Sequence, residues 1–195
     1  MSTWISRAAL VLLLAACVPV AGGGLGLAGK NAAPVLGGAI EVAGPRGYCI
    51  DRKASRETED SAVMVLGRCA GSLTAEPALI AIVVGAQGSS EVLKTGASAL
   101  TEFFASADGR AALARDGRAG SVTIHSVTVA EGALVLHLTD RSVGRYWRAL
   151  IGARGRLVTI SVSAPVGDDL APEAGRALLD ATIAAMRAAN RGEGG

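Results

Sequence analysis

Between residues 122 and 163 apolar and polar side chains alternate through four short segments, and glycine-bearing turns break each pair of them. A period of two sends successive side chains to opposite faces, and a short glycine turn brings the chain back antiparallel. Segments 122–129 and 133–139 flank Ala130-Glu131-Gly132, and segments 146–151 and 156–163 flank Gly152-Ala153-Arg154-Gly155. The region therefore reads as two β-hairpins. If the second turn is a four-residue loop, Ile151 faces Arg156, Ala149 meets Val158 and Trp147 meets Ile160. One face then carries Trp147, Ala149, Ile151, Val158, Ile160 and Val162, as a sheet with one buried side requires.

The first half is less regular. Segments 39–43 and 48–51 are short extended pieces around the turn Gly44-Pro45-Arg46-Gly47, and 51–60 reads as a charged loop. Segments 62–67 and 78–84 are continuous apolar runs suited to strands covered on both faces. Residues 97–115 read as helix, with Leu100, Phe103 and Phe104 sharing a face, an interruption at Asp108-Gly109 and a resumption at Ala111. A longer helix is expected over 170–190, with Asp169 as N-cap and Pro172 in the first turn, where its missing N–H costs nothing. Its buried stripe is Gly175, Leu178, Leu179, Thr182, Ile183 and Met186. The expected architecture is α+β: an antiparallel sheet with packed helices, including a long C-terminal one, in a single domain over 39–192. A closing hairpin followed by a long helix resembles the end of the PsbP-like fold, a family named for a lumenal photosystem subunit. That resemblance covers about the last third and implies a fold only.

The N-terminus has one cation, Arg7, then the apolar run Ala8-Ala-Leu-Val-Leu-Leu-Leu-Ala-Ala16, then Cys17. This is the pattern of a secretory signal, and the run is short for a membrane span, which needs about 20 residues. Leu14-Ala15-Ala16-Cys17 resembles the bacterial lipobox. That resemblance implies a signal peptide over 1–16 and a mature chain whose first residue, Cys17, carries membrane lipid, including palmitate-type acyl chains, facing the periplasm. Val18 favours the outer membrane over retention at the inner one. Segments Gly47-Tyr-Cys-Ile-Asp51 and Val65-Leu-Gly-Arg-Cys69 are similar to segments of a set of uncharacterised Gram-negative envelope lipoproteins, a resemblance that implies location rather than activity.

Residues 17–38 are glycine-rich and nearly uncharged, and read as a lipidated tether. Gly24-Leu-Gly26-Leu-Ala-Gly29 matches a dinucleotide fingerprint, and the stretch to Lys30 nearly matches a P-loop. Both need a preceding strand and a following helix to aim amides at phosphate, and Asn31 stands where the P-loop needs Ser or Thr. Cys49 and Cys69 remain after processing, and an even count in an oxidising compartment implies a disulfide.

The net charge of +2 lacks the strongly basic footprint of a nucleic-acid partner. Nucleophile elbows, zincin motifs and calcium loops are missing from the sequence, and no catalytic residue or cofactor is assigned. The neighbouring acids Glu59-Asp60 and Asp168-Asp169 fall in loops. His125 and His137 stand one in each strand of the first hairpin. A two-residue turn points them to opposite sides; a three-residue turn with only Gly132 left-handed pairs them, and is easier on the backbone. A cross-strand pair of His125 and His137 can bind a metal, but zinc wants three or four protein ligands and no third is visible in the sequence, so the pair is read as structural with a metal site as the alternative. Arg141, Arg145, Arg148, Arg154 and Arg156, with no acid between them, form a possible patch for an anionic partner, set against a solvated face balanced by nearby acids. The expected role is a non-enzymatic binding or assembly module, whose partner is an envelope protein or an anionic ligand. The alternatives are a cell-wall or small-molecule hydrolase and a metal-binding module.

Overall fold

A computed structural model describes residues 29–191, so the signal peptide expected over 1–16 and the lipid-bearing Cys17 lie outside the described residues. Seven strands form one antiparallel sheet. They are β3 (Tyr48–Glu57), β4 (Ala62–Arg68), β5 (Leu79–Gln87), β6 (Val122–Ala130), β7 (Ala133–Asp140), β8 (Gly144–Ala153) and β9 (Arg156–Ser163), in the order β3-β4-β5-β9-β8-β7-β6. A separate two-stranded ribbon joins β1 (Ala32–Val35) to β2 (Ile40–Ala43). The helices are α1 (Ala97–Ala105), α2 (Ala107–Leu113) and α3 (Pro172–Asn190). This is the expected α+β class.

One face of the sheet is closed by α3. Its stripe of Gly175, Leu178, Leu179, Thr182, Ile183 and Met186 is buried, as the helical period requires. Ala149, Ile151, Val158, Ile160 and Val162 oppose it in one core with Ile80, Ile82 and Leu66. The other face is covered toward β6 and β7, where Leu100, Phe104 and Leu113 pack on Leu134, Leu136, Leu138 and Leu150.

The first hairpin takes the two-residue alternative rather than the three-residue one that is easier on the backbone, and the second turn is shorter than the four-residue loop expected. Ala130 pairs with Ala133 and Ala153 with Arg156, so each turn has two residues. Glu131 (φ 50°) and Arg154 (φ 47°) take the left-handed conformation together with Gly132 and Gly155. Two positive-φ residues make the turn that matches strand twist, and this gain offsets the strain at a non-glycine position. In the second hairpin Ile151 therefore faces Val158, Ala149 faces Ile160 and Trp147 faces Val162. The shift is two residues, which leaves every side chain on its expected face.

The tether expected over 17–38 does not run to residue 38. Ala32–Val35 is a strand, and the hairpin it forms turns through Leu36, Gly37 and Gly38, all at positive φ. The glycines here build a turn rather than a spacer, and the fold reaches back to residue 29. The charged segment over 51–60 is likewise strand as far as Glu57. The helix expected over 97–115 breaks at Ser106, whose hydroxyl accepts from the Gly109 amide at 3.1 Å. Gly109 is no interruption: a Cβ there would collide with the Phe103 carbonyl, so glycine lets α2 fold back against α1. Asp169 does not cap α3. Its carboxylate accepts from Leu170 N, and Ala171 is the residue before the helix.

Cys49 and Cys69 form a disulfide with Cα atoms 5.0 Å apart. It joins the start of β3 to the residue that follows β4, closing a loop with a sequence separation of 20. Reduction should lower unfolding free energy by about 3 kcal/mol, measured as urea unfolding with and without reductant. An unchanged urea midpoint would show that the bridge does not constrain the unfolded chain.

Candidate functional site

The most distinctive surface is built where the β1–β2 ribbon meets the edge strand β3. Asp51 pairs with Val65 and Arg56 with Val63, so β3 advances five residues while β4 advances two. The surplus forms a bulge whose polar groups are tied locally. Asp51 Oδ1 accepts from Lys53 N at 2.9 Å and from Ala54 N at 3.2 Å. Ser55 Oγ donates to the Asp51 carbonyl at 2.6 Å and accepts from Val65 N at 3.0 Å. Bulges bend a strand and re-aim its side chains, and this one sets Arg52 and Arg56 facing β1. Across the gap, Leu36 N donates to Glu57 Oε1 at 2.6 Å and fastens the hairpin turn to the end of β3.

Between them lies a cleft of about 440 Å³, with Val35, Ile50 and Met64 as a buried apolar floor and Lys30, Arg52 and Arg56 on its rim. A second hollow of about 590 Å³ adjoins it, sharing Lys30, Ala32, Ala33, Pro34 and Arg52 in its walls and adding Arg46, Glu41 and the disulfide. The chain enters here: Ile50 N donates to the Lys30 carbonyl at 3.0 Å, so the incoming segment covers the outer edge of β3. Lys30, Arg46, Arg52 and Arg56 are exposed, and none is in an ion pair among the described residues. Two lining acids, Glu57 and Glu41, supply the local counter-charge to these four cations, and Glu57 also accepts from Leu36 N. Guanidinium forks present donors that match carboxylate and phosphate oxygens. Cations beside an apolar floor suit an anion attached to an apolar body.

None of these residues was prominent in sequence. The available signal was the order Arg46, Arg52, Lys53, Arg56 with Asp51 the only acid among them, hidden by reading the region as a solvated loop and Lys30 as part of a spacer.

The arginines of 141–156 are not brought together. Arg145 pairs with Thr139 and Arg148 with Leu136, and three residues along one strand puts them on opposite faces. Arg148 Nε donates to Ser161 Oγ at 3.0 Å, and its guanidinium lies 5.2 Å from the Tyr146 ring centre. Arg156 is buried and donates to the carbonyls of Asp60 and Gly85, at 2.8 and 2.9 Å. Arg141 is in the β7–β8 turn and Arg154 in the β8–β9 turn, at opposite ends of β8. The anion patch expected from them is therefore dispersed, because strand alternation overrides closeness in sequence. Buried Asp140 is an anchor: burial pushes its carboxyl up, but hydrogen bonds from the Ser142 hydroxyl and the Arg115 and Ser142 amides, with Arg148 nearby, hold it below the usual range.

The histidines do meet, by a route neither expected turn provided. The turn is two-residue, but a bulge at His125 places Ser126 opposite His137, and the two rings come within 5.2 Å. His125 Nε2 is 2.8 Å from Thr139 Oγ1. His137 stacks on Trp147 at 4.2 Å, nearly parallel, and its enclosed Nε2 has no hydrogen-bond partner. Among the described residues no three His, Cys, Asp or Glu side chains gather around a possible metal position. No protein-family model, curated protein or solved structure significantly matches the chain.

Burial holds the His137 pKa below the usual imidazole value, with repulsion from His125 and Arg145 adding to it. The unfolded chain then binds the proton more readily. The stability attached to this group is complete above about pH 6.5 and is lost as pH falls through that value toward the folded pKa. The melting temperature should drop over that window, and His137→Phe, which keeps the stack without titrating, should flatten the drop. Equal slopes in the two proteins would place the effect elsewhere.

Proposed function

We propose that this protein is a lipid-anchored envelope lipoprotein, facing the periplasm, that acts as a non-enzymatic binding or assembly module through the cation-lined cleft. The observation that carries the binding role is Lys30, Arg52 and Arg56 around an apolar floor, with Arg46 in the adjoining hollow, none of them in an ion pair among the described residues. Cations in excess of the lining acids Glu41 and Glu57 repel one another around a concavity and are relieved by an anionic ligand or by an envelope protein presenting carboxylates or phosphates. The anchor is supported by Leu14-Ala15-Ala16-Cys17, and the Cys49–Cys69 disulfide is consistent with an oxidising compartment.

The anchor is tested by following processing in a Gram-negative host. Cys17→Ser should accumulate uncut precursor and take up no labelled palmitate, because the acyl-glycerol is added to the thiol before cleavage. Cleavage at the same bond in that variant, or a wild-type protein that takes up no label, would remove the lipoprotein reading.

A further inference from the structure

We infer that the cleft between β1 and the bulge of β3 seats the phosphate headgroup of an anionic phospholipid, so that the domain lies with this end against the bilayer. The inference deepens the anchored-module reading and rests on it for the membrane's proximity, but the cleft's own chemistry is independent of the anchor.

Three observations converge. Charge comes first: Arg52 and Arg56 on the bulge, with Lys30 on the entering chain, bring three cations to one rim, and Arg46 continues the line into the adjoining hollow. These side chains accept no role in the fold, having neither ion pairs nor side-chain hydrogen bonds among the described residues, while Arg148 and Arg156 are committed to internal oxygens. The second is the floor. Val35, Ile50 and Met64 are buried apolar groups beneath that rim. A free inorganic anion gains nothing from such a floor, whereas a headgroup carries glycerol and the first methylenes with it, which gain by leaving water. The third is position. Gly29 lies twelve residues after Cys17, a length that can span at most about 43 Å. An anchor at Cys17 therefore keeps the cleft within reach of the headgroup layer, and a short link converts weak contact into an intramolecular event at high effective concentration. Basic side chains near an anionic bilayer each strengthen binding several-fold, an effect confined to about a Debye length.

The test uses the whole mature chain, residues 17–195, carrying Cys17→Ser so that no lipid assists, with the disulfide intact. Co-sedimentation with vesicles of phosphatidylcholine alone is compared with vesicles containing phosphatidylglycerol. Binding to the second should exceed binding to the first and should weaken as salt rises. Arg52→Glu with Arg56→Glu should lower it at least about tenfold. Arg141→Glu with Arg145→Glu changes net charge equally at the β7–β8 turn and the start of β8, four places from β3 in the strand order, and should leave it nearly unchanged. Lys30→Glu with Arg46→Glu provides a second cleft pair should the first fail to fold. Equal losses from the cleft pair and the Arg141 and Arg145 pair, or equal binding to both vesicles, would overturn the inference. So would full displacement by millimolar inorganic phosphate, which would assign the cleft to a free anion. Because the chain is unlipidated, a failed palmitate experiment leaves this result standing, and a failed vesicle experiment leaves the anchor standing.

Discussion

The seating of α3 on β8 and β9 is the contact on which the remaining architecture depends. Leu179 and Met186 are fully buried and Ile183 nearly so, and burying such a side chain is worth about 1.5 to 3 kcal/mol. The fit needs a glycine. A Cβ at Gly175 would lie 3.0 Å from Trp147 Cδ1 and 3.3 Å from Leu170. That close approach lets Trp147 Nε1 donate to the Pro172 carbonyl at 2.8 Å, while Arg176 lies 5.3 Å from the ring centre. Trp147 thus joins the first turn of α3 to the sheet and, through its stack with His137, to β7. At the other end Asn190 clasps β2, accepting from Glu41 N at 3.0 Å and donating to Glu41 O at 2.7 Å. Met186 is packed against Ala43 nearby. The helix therefore holds both the closing hairpins and the first ribbon.

The cleft follows from that arrangement. With β2 held by α3, β1 lies opposite the edge of β3 rather than joining its ladder, and the space between them stays open. An exposed edge strand invites pairing with another chain. Here the incoming segment occupies part of the outer edge, and the bulge at 52–55 removes regular ladder geometry from the rest. The same bulge that blunts the edge also turns two arginines toward β1, so edge protection and the charged rim have one structural origin.

Much of the fold is legible in the sequence because faces depend only on local period. The six expected core positions of the second hairpin and the six-residue stripe of α3 are where alternation and the helical turn put them. Registers were not legible, because the choice between a two-residue turn and a longer one rests on whether Glu131 and Arg154 accept positive φ. That acceptance is decided by the twist of the strands they join. The site was less legible still. Charge density drew attention to 141–156, yet those arginines are divided between two faces, two turns and the interior. The cations that do converge come from Lys30, Arg46, Arg52 and Arg56, parts of the chain that looked like tether and loop.

Sequence alone determined what is local: strand and helix periods, the glycine turns, the pairing of the two cysteines that remain after Cys17, and the lipobox-like leader that directs the expectation of an anchored protein. Tertiary structure decided what is relational. A bulge at His125 brings the two histidines together where the turn alone would have parted them. The burial of Arg156 withdraws one cation from the surface, and the hold of α3 on β2 opens the cleft. The physical reason is the same throughout. A residue's backbone preference is set by its neighbours along the chain, whereas the meeting of two side chains depends on registers and packing summed over the whole sheet.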